Sequence, residues 1–384
     1  MSLGATHYRL GDHVAAGQAY GRALELIEAA HGTLSPRLVT PLRGLALTYQ
    51  GTGRNDFAVP LLERALAISR RSNGLFNQQQ TELLTPLIDG YVALARWKDA
   101  DHAQQYALQI AEHAYGREDT RLFPALQQLG RWYANTGQRN AARDVWDRAL
   151  AIAADPHHPD PIGQIIALRG RAEAYRLDYQ FGREVVEPRP GEGPPRLAPL
   201  DLDTSMRSMS PLGPEYVLSS AGLEALESAL AVAEHLKVPS PQVLAVVLVD
   251  LGDWQLVAGR LDRALPFYAR ALPMLPAETA TAEADAGPLS RPGLLLYRAP
   301  QAAARYRDRP PSLVTEHYLI AELTVTAEGT VRDAKIVEGD ASDAQRSSFL
   351  AALARAIYRP RFADGKPVAT EKVRYRETFL QPKG

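Results

Sequence analysis

The 384-residue chain contains no cysteine. That absence removes disulfides, thiolate metal sites and a cysteine nucleophile together. It is compatible with the cytoplasm and with the bacterial periplasm. No run of 18 or more apolar residues occurs, so no membrane-spanning helix and no direct membrane insertion are expected. The start, MSLGATHYRLGD, lacks a charged stretch followed by an apolar one, so no signal peptide is visible. Charge of one sign is scarce too, with 43 Lys and Arg against 44 Asp and Glu. Nothing global therefore argues for nucleic acid or an anionic membrane as a partner. From Leu294 onward there are 15 basic and 11 acidic residues, and before it 28 and 33. This asymmetry is too weak to name a partner.

Reaction motifs are also missing. There is no phosphate-cradling glycine loop, no G-x-S-x-G elbow and no H-E-x-x-H pair. The one His-dense stretch is DPHHPDP at 155–161. Its adjacent His157 and His158 would point about 100° apart on a helix, and its prolines mark a turn. No further metal ligands are evident there. The expectation is a non-enzyme with no cofactor, an enzyme with an unrecognised site being the remote alternative.

What the chain does have is a period of 42 residues. Gly32, Gly74 and Gly116 obey it, as do Leu45, Leu87 and Leu129. Tyr49, Tyr91, Tyr133 and Tyr175 follow it, and so do the Ala-Leu pairs beginning at Ala23, Ala65, Ala107 and Ala149. Such a repeat is the signature of a tandem array. Each unit reads as two amphipathic helices. Leu38, Leu42, Leu45 and Tyr49 share one face of the first, and Phe57, Leu61, Leu62, Ala65 and Leu66 one stripe of the second. Small Ala and Gly fall where the two helices would cross, with Tyr between them. One unit cannot bury its apolar face alone, so stacking is obligatory.

The stretch LGRWYANTGQRNAARDVWDRALAIA at 129–153 resembles a tetratricopeptide repeat, with Leu-Gly, Tyr, Gly, Ala and Ala-Leu in order. LGDWQLVAGRLDRALPFYARAL at 251–272 is similar, with Gln255 in place of the Tyr. The 42-residue spacing resembles the longer-helix variety of kinesin light chains. The resemblance implies an all-α solenoid over 1–275 whose groove binds a protein or peptide. Its inward positions fall on Thr40, Arg43, Glu82, Thr85, Asp89, Gln127, Arg131, Arg169, Glu173, Arg176 and Asp253. Of these, Arg131, Arg169 and Arg176 form a guanidinium cluster suited to a peptide carboxylate, or else a solvated charged face. Family members that clamp a terminal carboxylate use Asn and Lys. Here the matching positions are Leu47, Asp89, Arg131, Glu173 and Asp253, which argues against that clamp.

Two irregularities interrupt the array. Subtracting one period from Tyr49 and Gly53 gives His7 and Gly11, so the first helix is short. Either the natural chain extends upstream or this sequence is truncated. The fourth unit is split after Tyr179 by a Pro-, Gly- and Ser-rich stretch at 183–216, which reads as a long loop. It is either a lid over the groove or an insertion tolerated in a connection. SAGLEALESALAVAEHL at 220–236 supplies the delayed second helix.

Residues 276–293 read as a linker, and the rest as a small α+β domain at 294–384. GLLLYR (293–298) is a candidate short strand. HYLIAELTVT alternates, with Leu319, Ala321, Leu323 and Val325 on one face. The turn AEGT leads to a second strand, VRDAKIVEG, forming a hairpin. A helix follows from a capping box at Ser342 and Gln345, with Phe349, Leu350, Leu353 and Ile357 buried. Arg359-Pro360 is expected to end it. Asp364-Gly365 turns the chain, and Lys366-Pro367-Val368 leads into a last strand with Val373, Tyr375 and Phe379 on one face.

The order of these pieces resembles the C-terminal domain of TonB-type energy transducers. The transmembrane helix and Pro-rich spacer of that family are missing, which puts energy transduction in doubt. The resemblance implies a cell-envelope or periplasmic location, with the cytoplasm as alternative. It also implies binding of an extended segment by strand addition at the Thr370–Phe379 edge. Lys372, Arg374 and Arg376 alternate outward there, either for a partner or to protect the edge. The expected function is a non-enzymatic interaction scaffold of the Gram-negative envelope. The alternative is a cytoplasmic adaptor or sensor whose C-terminal domain packs on its own repeats.

Overall fold

The computed structural model describes residues 3–182, 185–186, 196–197, 218–275, 287–304, 309 and 311–383. The fold is an all-α solenoid of helix hairpins followed by a small α+β part, as expected. Contacts group the chain into two compact units. One comprises Met1–Leu129 with Arg307–Val314, the other Gly130–Tyr306 with Thr315–Gly384.

The first unit holds α1 (Leu3–Arg9), α2 (His13–His31), α3 (Val39–Gly51), α4 (Asn55–Asn73), α5 (Thr81–Ala93), α6 (Trp97–Tyr115) and the start of α7 (Phe123–Asn135). The 42-residue glycines end the second helix of each hairpin. Gly32, Gly74 and Gly116 have φ of 79°, 86° and 91°, a backbone region that glycine enters without steric penalty. Three residues after each glycine a polar side chain opens a single 3₁₀ turn. Ser35, Asn77 and Asp119 accept from the backbone N–H of Arg37, Gln79 and Arg121. The buried stripe of α4 runs through Ala58, Val59, Leu62, Ala65, Leu66 and Ile68. Phe57 lies outside it, contrary to the sequence expectation. It is exposed, with its ring against Tyr49 and under the Arg54 guanidinium. A ring beside an arginine at a helix start keeps one face covered without entering the core.

The second unit continues with α8 (Arg139–Ala153), α9 (Pro161–Phe181), α10 (Ser220–Glu234), α11 (Pro241–Val257) and α12 (Leu261–Ala271). DPHHPDP forms the turn between α8 and α9. Within 183–216 only β1 (Val185–Val186) and β2 (Arg196–Leu197) are described, paired antiparallel; the expected long loop otherwise lies outside the described residues. Large rings fill the gaps between helices because glycines face them. A Cβ at Gly130 would lie 2.7 Å from the Trp146 indole, and one at Gly170 2.3 Å from it. Gly222 faces Trp254 and Gly252 faces Tyr268 in the same way.

The C-terminal part packs β3 (Gly293–Leu296), α13 (Gln301–Ala304), β4 (Val314–Val325), β5 (Val331–Gly339), α14 (Asp343–Leu353), β6 (Ile357–Arg359), β7 (Arg361–Ala363), β8 (Lys366–Val368) and β9 (Thr370–Pro382). The main sheet has the order β5-β4-β9. Leu319, Ala321, Leu323 and Val325 of β4 are buried with Phe349, Leu353 and Phe379. The expected hairpin and the Ser342–Gln345 capping box are both present.

Three expectations need correction. Helix α14 stops at Leu353, four residues before Ile357. Ile357–Arg359 is instead a strand paired antiparallel with β3, because a partner some 60 residues upstream satisfies its backbone. Lys366-Pro367-Val368 does not simply lead into the last strand; it pairs with Arg361–Ala363. The two-residue turn between them, Asp364 and Gly365, has φ of 49° and 77°, the hairpin geometry that Asp-Gly favours. Finally, the linker stretch is packed at its end. Leu289 is buried, and its carbonyl accepts from Phe362 N at 2.9 Å; residues 276–286 lie outside the described residues.

Gly170→Ala should lower stability by about 1–2 kcal/mol in urea unfolding. Overlap with the indole outweighs the helix-propensity gain of about 1 kcal/mol. Gly21→Ala, where nothing lies within 4 Å, should be neutral or stabilising by the same measurement.

Candidate functional site

Helices α7, whose end from Gly130 lies in the second unit, α9 and α11 are the first helices of consecutive hairpins, and they carry the expected inward residues. A cavity of about 400 Å³ lies against them. Arg131 and Asn135 come from α7, Arg169, Glu173 and Arg176 from α9, and Asp250, Asp253 and Trp254 from α11. The C-terminal part closes it with Leu294, Leu295 and Arg359. The structure thus brings together Arg131, Arg169, Glu173 and Arg176. Arg43, Asp89 and Gln127 stand on α3, α5 and α7 of the other unit. Arg43 there meets Glu82, donating to its carbonyl at 3.2 Å and pairing with its carboxylate at 3.4 Å.

The arginines of the cavity are largely spoken for. Arg169 pairs with Asp250. Arg176 grips both oxygens of Glu173 at 2.6 and 2.8 Å and donates to the Leu295 carbonyl. Arg359 reaches Asp253 at 2.6 Å, with both side chains largely buried. The other Asp253 oxygen accepts from Tyr268 Oη at 2.8 Å. Among the described residues, Arg131 alone of these arginines has no ion-pair partner, and it is exposed. The apolar wall comes from Trp146, Leu226, Trp254, Leu294 and Leu295.

Burial dominates the titration of the acids. It pushes the Asp253 carboxyl up to about 6; Arg359, the Tyr268 hydroxyl and Arg176 oppose the rise, and Asp250 adds to it. Asp250 is raised as well, again by burial first, against the pull of Arg169. None of these groups is arranged as a nucleophile beside a base.

At the other candidate surface, β9 is the outer strand of the three-stranded sheet. Lys372, Arg374 and Arg376 are exposed as expected. Arg376 is held at 2.8 Å by Glu316 and lies over the Tyr318 ring. Lys372 has φ of 57°, so the regular extended edge begins after it. The sequence reading missed Glu377. It is buried beside Phe379, and its carboxylate accepts from Tyr297 Oη at 2.6 Å. The alternation of β9 places it inward, which was the available signal.

Tetratricopeptide repeat family models match residues 1–71 and 125–160. Those two stretches of the helical array are similar to tetratricopeptide repeats. Among solved structures, a Podosopora anserina putative kinesin light chain with TPR-like repeats is 18% identical, with a TM-score of 0.41. That match covers 62% of this chain and 94% of the other. BtubC (BKLC) from P. vanneervenii is 16% identical, with a TM-score of 0.40 and coverage of 69% and 90%. The apo form of RapI is 12% identical, with a TM-score of 0.35 and coverage of 71% and 94%. No curated protein matches the chain.

The raised carboxyl has a stability consequence. An acid raised on folding binds its proton more tightly in the folded state, so its contribution grows as pH falls from about 7 toward 4. Relative to Asp253→Asn, the wild-type chain should gain up to about 3 kcal/mol over that window, read from urea unfolding at several pH values. A difference that is flat or opposite in sign would contradict the burial of this carboxylate.

Proposed function

We propose that the protein is a non-enzymatic interaction scaffold whose repeat array binds a protein or peptide. The observation that carries the reading is the convergence of repeat-helix side chains at one cavity, with Arg131 left as a cation at its mouth. The family-model matches support it, since tetratricopeptide arrays are surfaces for polypeptide partners. Arg131, Arg169, Glu173 and Arg176 form the array's binding face in the second unit, and Arg43, Asp89 and Gln127 are candidate partner-binding residues of the first. The β9 edge, with Lys372, Arg374 and Arg376, is a second surface for an extended segment. The domain division is 1–275, 276–293 and 294–384, with the last part TonB-like. A cell-envelope location follows from that likeness, and a cytoplasmic location is the alternative. Among the described residues, no helix is long and apolar enough to cross a membrane.

A second reading has its own support. The C-terminal strands β3 and β6 lie against α11, and Arg359 is buried on Asp253. An adaptor or sensor whose C-terminal domain rests on its own repeats accounts for this directly.

Full-length protein immobilised against envelope and cytosolic extracts tests both surfaces. Arg131→Glu should reduce recovery of an array-bound partner at least tenfold. Replacing Lys372, Arg374 and Arg376 by Ser should affect only an edge-bound one. Equal recovery by wild type and both variants sinks the two-surface reading, and the extract that yields the partner decides the compartment.

A further inference from the structure

Helix α9 holds an extended piece of the C-terminal part by its main chain. Arg176 donates to the Leu295 carbonyl, and Gln180 Nε2 donates to the Tyr297 carbonyl at 2.9 Å. The spacing explains why this works. Residues four apart on a helix are neighbours on one face, about 6 Å apart along the axis. Carbonyls two apart on an extended chain point the same way and repeat at about 6.6 Å. The Arg176–Gln180 pair therefore matches the spacing of alternate carbonyls on an extended backbone. Leu295 is free to be read in this way because the β3–β6 register slips between Leu294 and Leu296. The slip leaves the extra residue unpaired in the ladder.

Two side chains add sequence preference. Leu295 is buried in the apolar cluster that includes Trp254 and Tyr268. Arg298 turns back to donate to the carbonyls of Gln180, at 2.8 Å, and Tyr179. These belong to the last turn of α9, where carbonyls lack intrahelical partners and the helix carries partial negative charge. The guanidinium also lies 5.0 Å from the centre of the Tyr179 ring.

We propose that this face of α9 is a receptor for an extended partner segment with an apolar residue followed three positions later by arginine, and that Leu295–Arg298 fills it in cis. The partner is another protein presenting that pattern, and it binds by displacing the chain's own segment. This inference rests on reading the array as a polypeptide-binding scaffold.

The probe is a fluorescent acetylated, amidated peptide with the sequence of residues 293–298, Gly-Leu-Leu-Leu-Tyr-Arg. It is titrated into the full-length chain and its Arg298→Ala variant, with anisotropy as readout. The variant, whose internal competitor is weakened, should bind the peptide at least tenfold more tightly than wild type. Adding Gln180→Ala should abolish that gain. Replacing the peptide's arginine, or its third residue from the arginine, with alanine should cost at least tenfold. Excess peptide should also speed amide exchange of residues 293–298 in the wild-type chain, a measurement that needs no variant. Unchanged exchange, or binding indifferent to the peptide's arginine, overturns the proposal. So does a dimer by light scattering in which a second copy supplies the segment. If these arms fail while Arg131-dependent capture persists, the receptor pattern falls and the scaffold reading stands.

Discussion

One ion pair ties the C-terminal part to the array: Arg359 on Asp253, 106 positions apart in the chain. Both groups have left water, which is expensive, and each remains tolerable only because the other is there. Tyr268 satisfies the carboxylate's second oxygen, and the Pro288 carbonyl takes a further Arg359 donor at 3.0 Å. Removing one partner alone would strand a buried charge, typically a loss of about 3–5 kcal/mol. The pair therefore fixes where β6 lies on α11, and through the ladder where β3 lies on α9.

The cavity is a by-product of that placement. Repeat hairpins stack because none can cover its own apolar face, and their first helices leave polar side chains on the uncovered side. When β3 and Arg359 settle there, the larger side chains prevent complete closure. Trp146 and Trp254 cannot move in, because glycines already hold their rings between helices. What remains is a chamber with apolar walls, three carboxylates, three engaged arginines and Arg131 at the rim.

The periodic features were readable in the sequence where one residue type does one job. Glycine alone fits the helix ends at Gly32, Gly74 and Gly116, so identity repeats with geometry. The turn-opening residues obey the same period but are Ser35, Asn77 and Asp119, three chemistries for one hydrogen bond, and an identity search passes over them. The capping box at Ser342 and the inward alternation of β4 were legible because they are local. The strand at Ile357–Arg359 was not, since its apolar pattern also suits a helix and its partner strand lies far upstream. The cluster Arg131, Arg169 and Arg176 was found as a group. The engagement of Arg169 by Asp250, 81 positions away, depends on tertiary packing that no spacing announces.

The slip between Leu294 and Leu296 acts as a phase setting for everything that follows it. Side chains on an extended chain alternate, so one residue gained or lost there would send Leu295 to solvent and swing Arg298 away from the end of α9. The segment can change its side chains one at a time and keep its seat. Its length has no such freedom, because the four residues from Leu295 to Arg298 work as a ruler laid along one turn of helix.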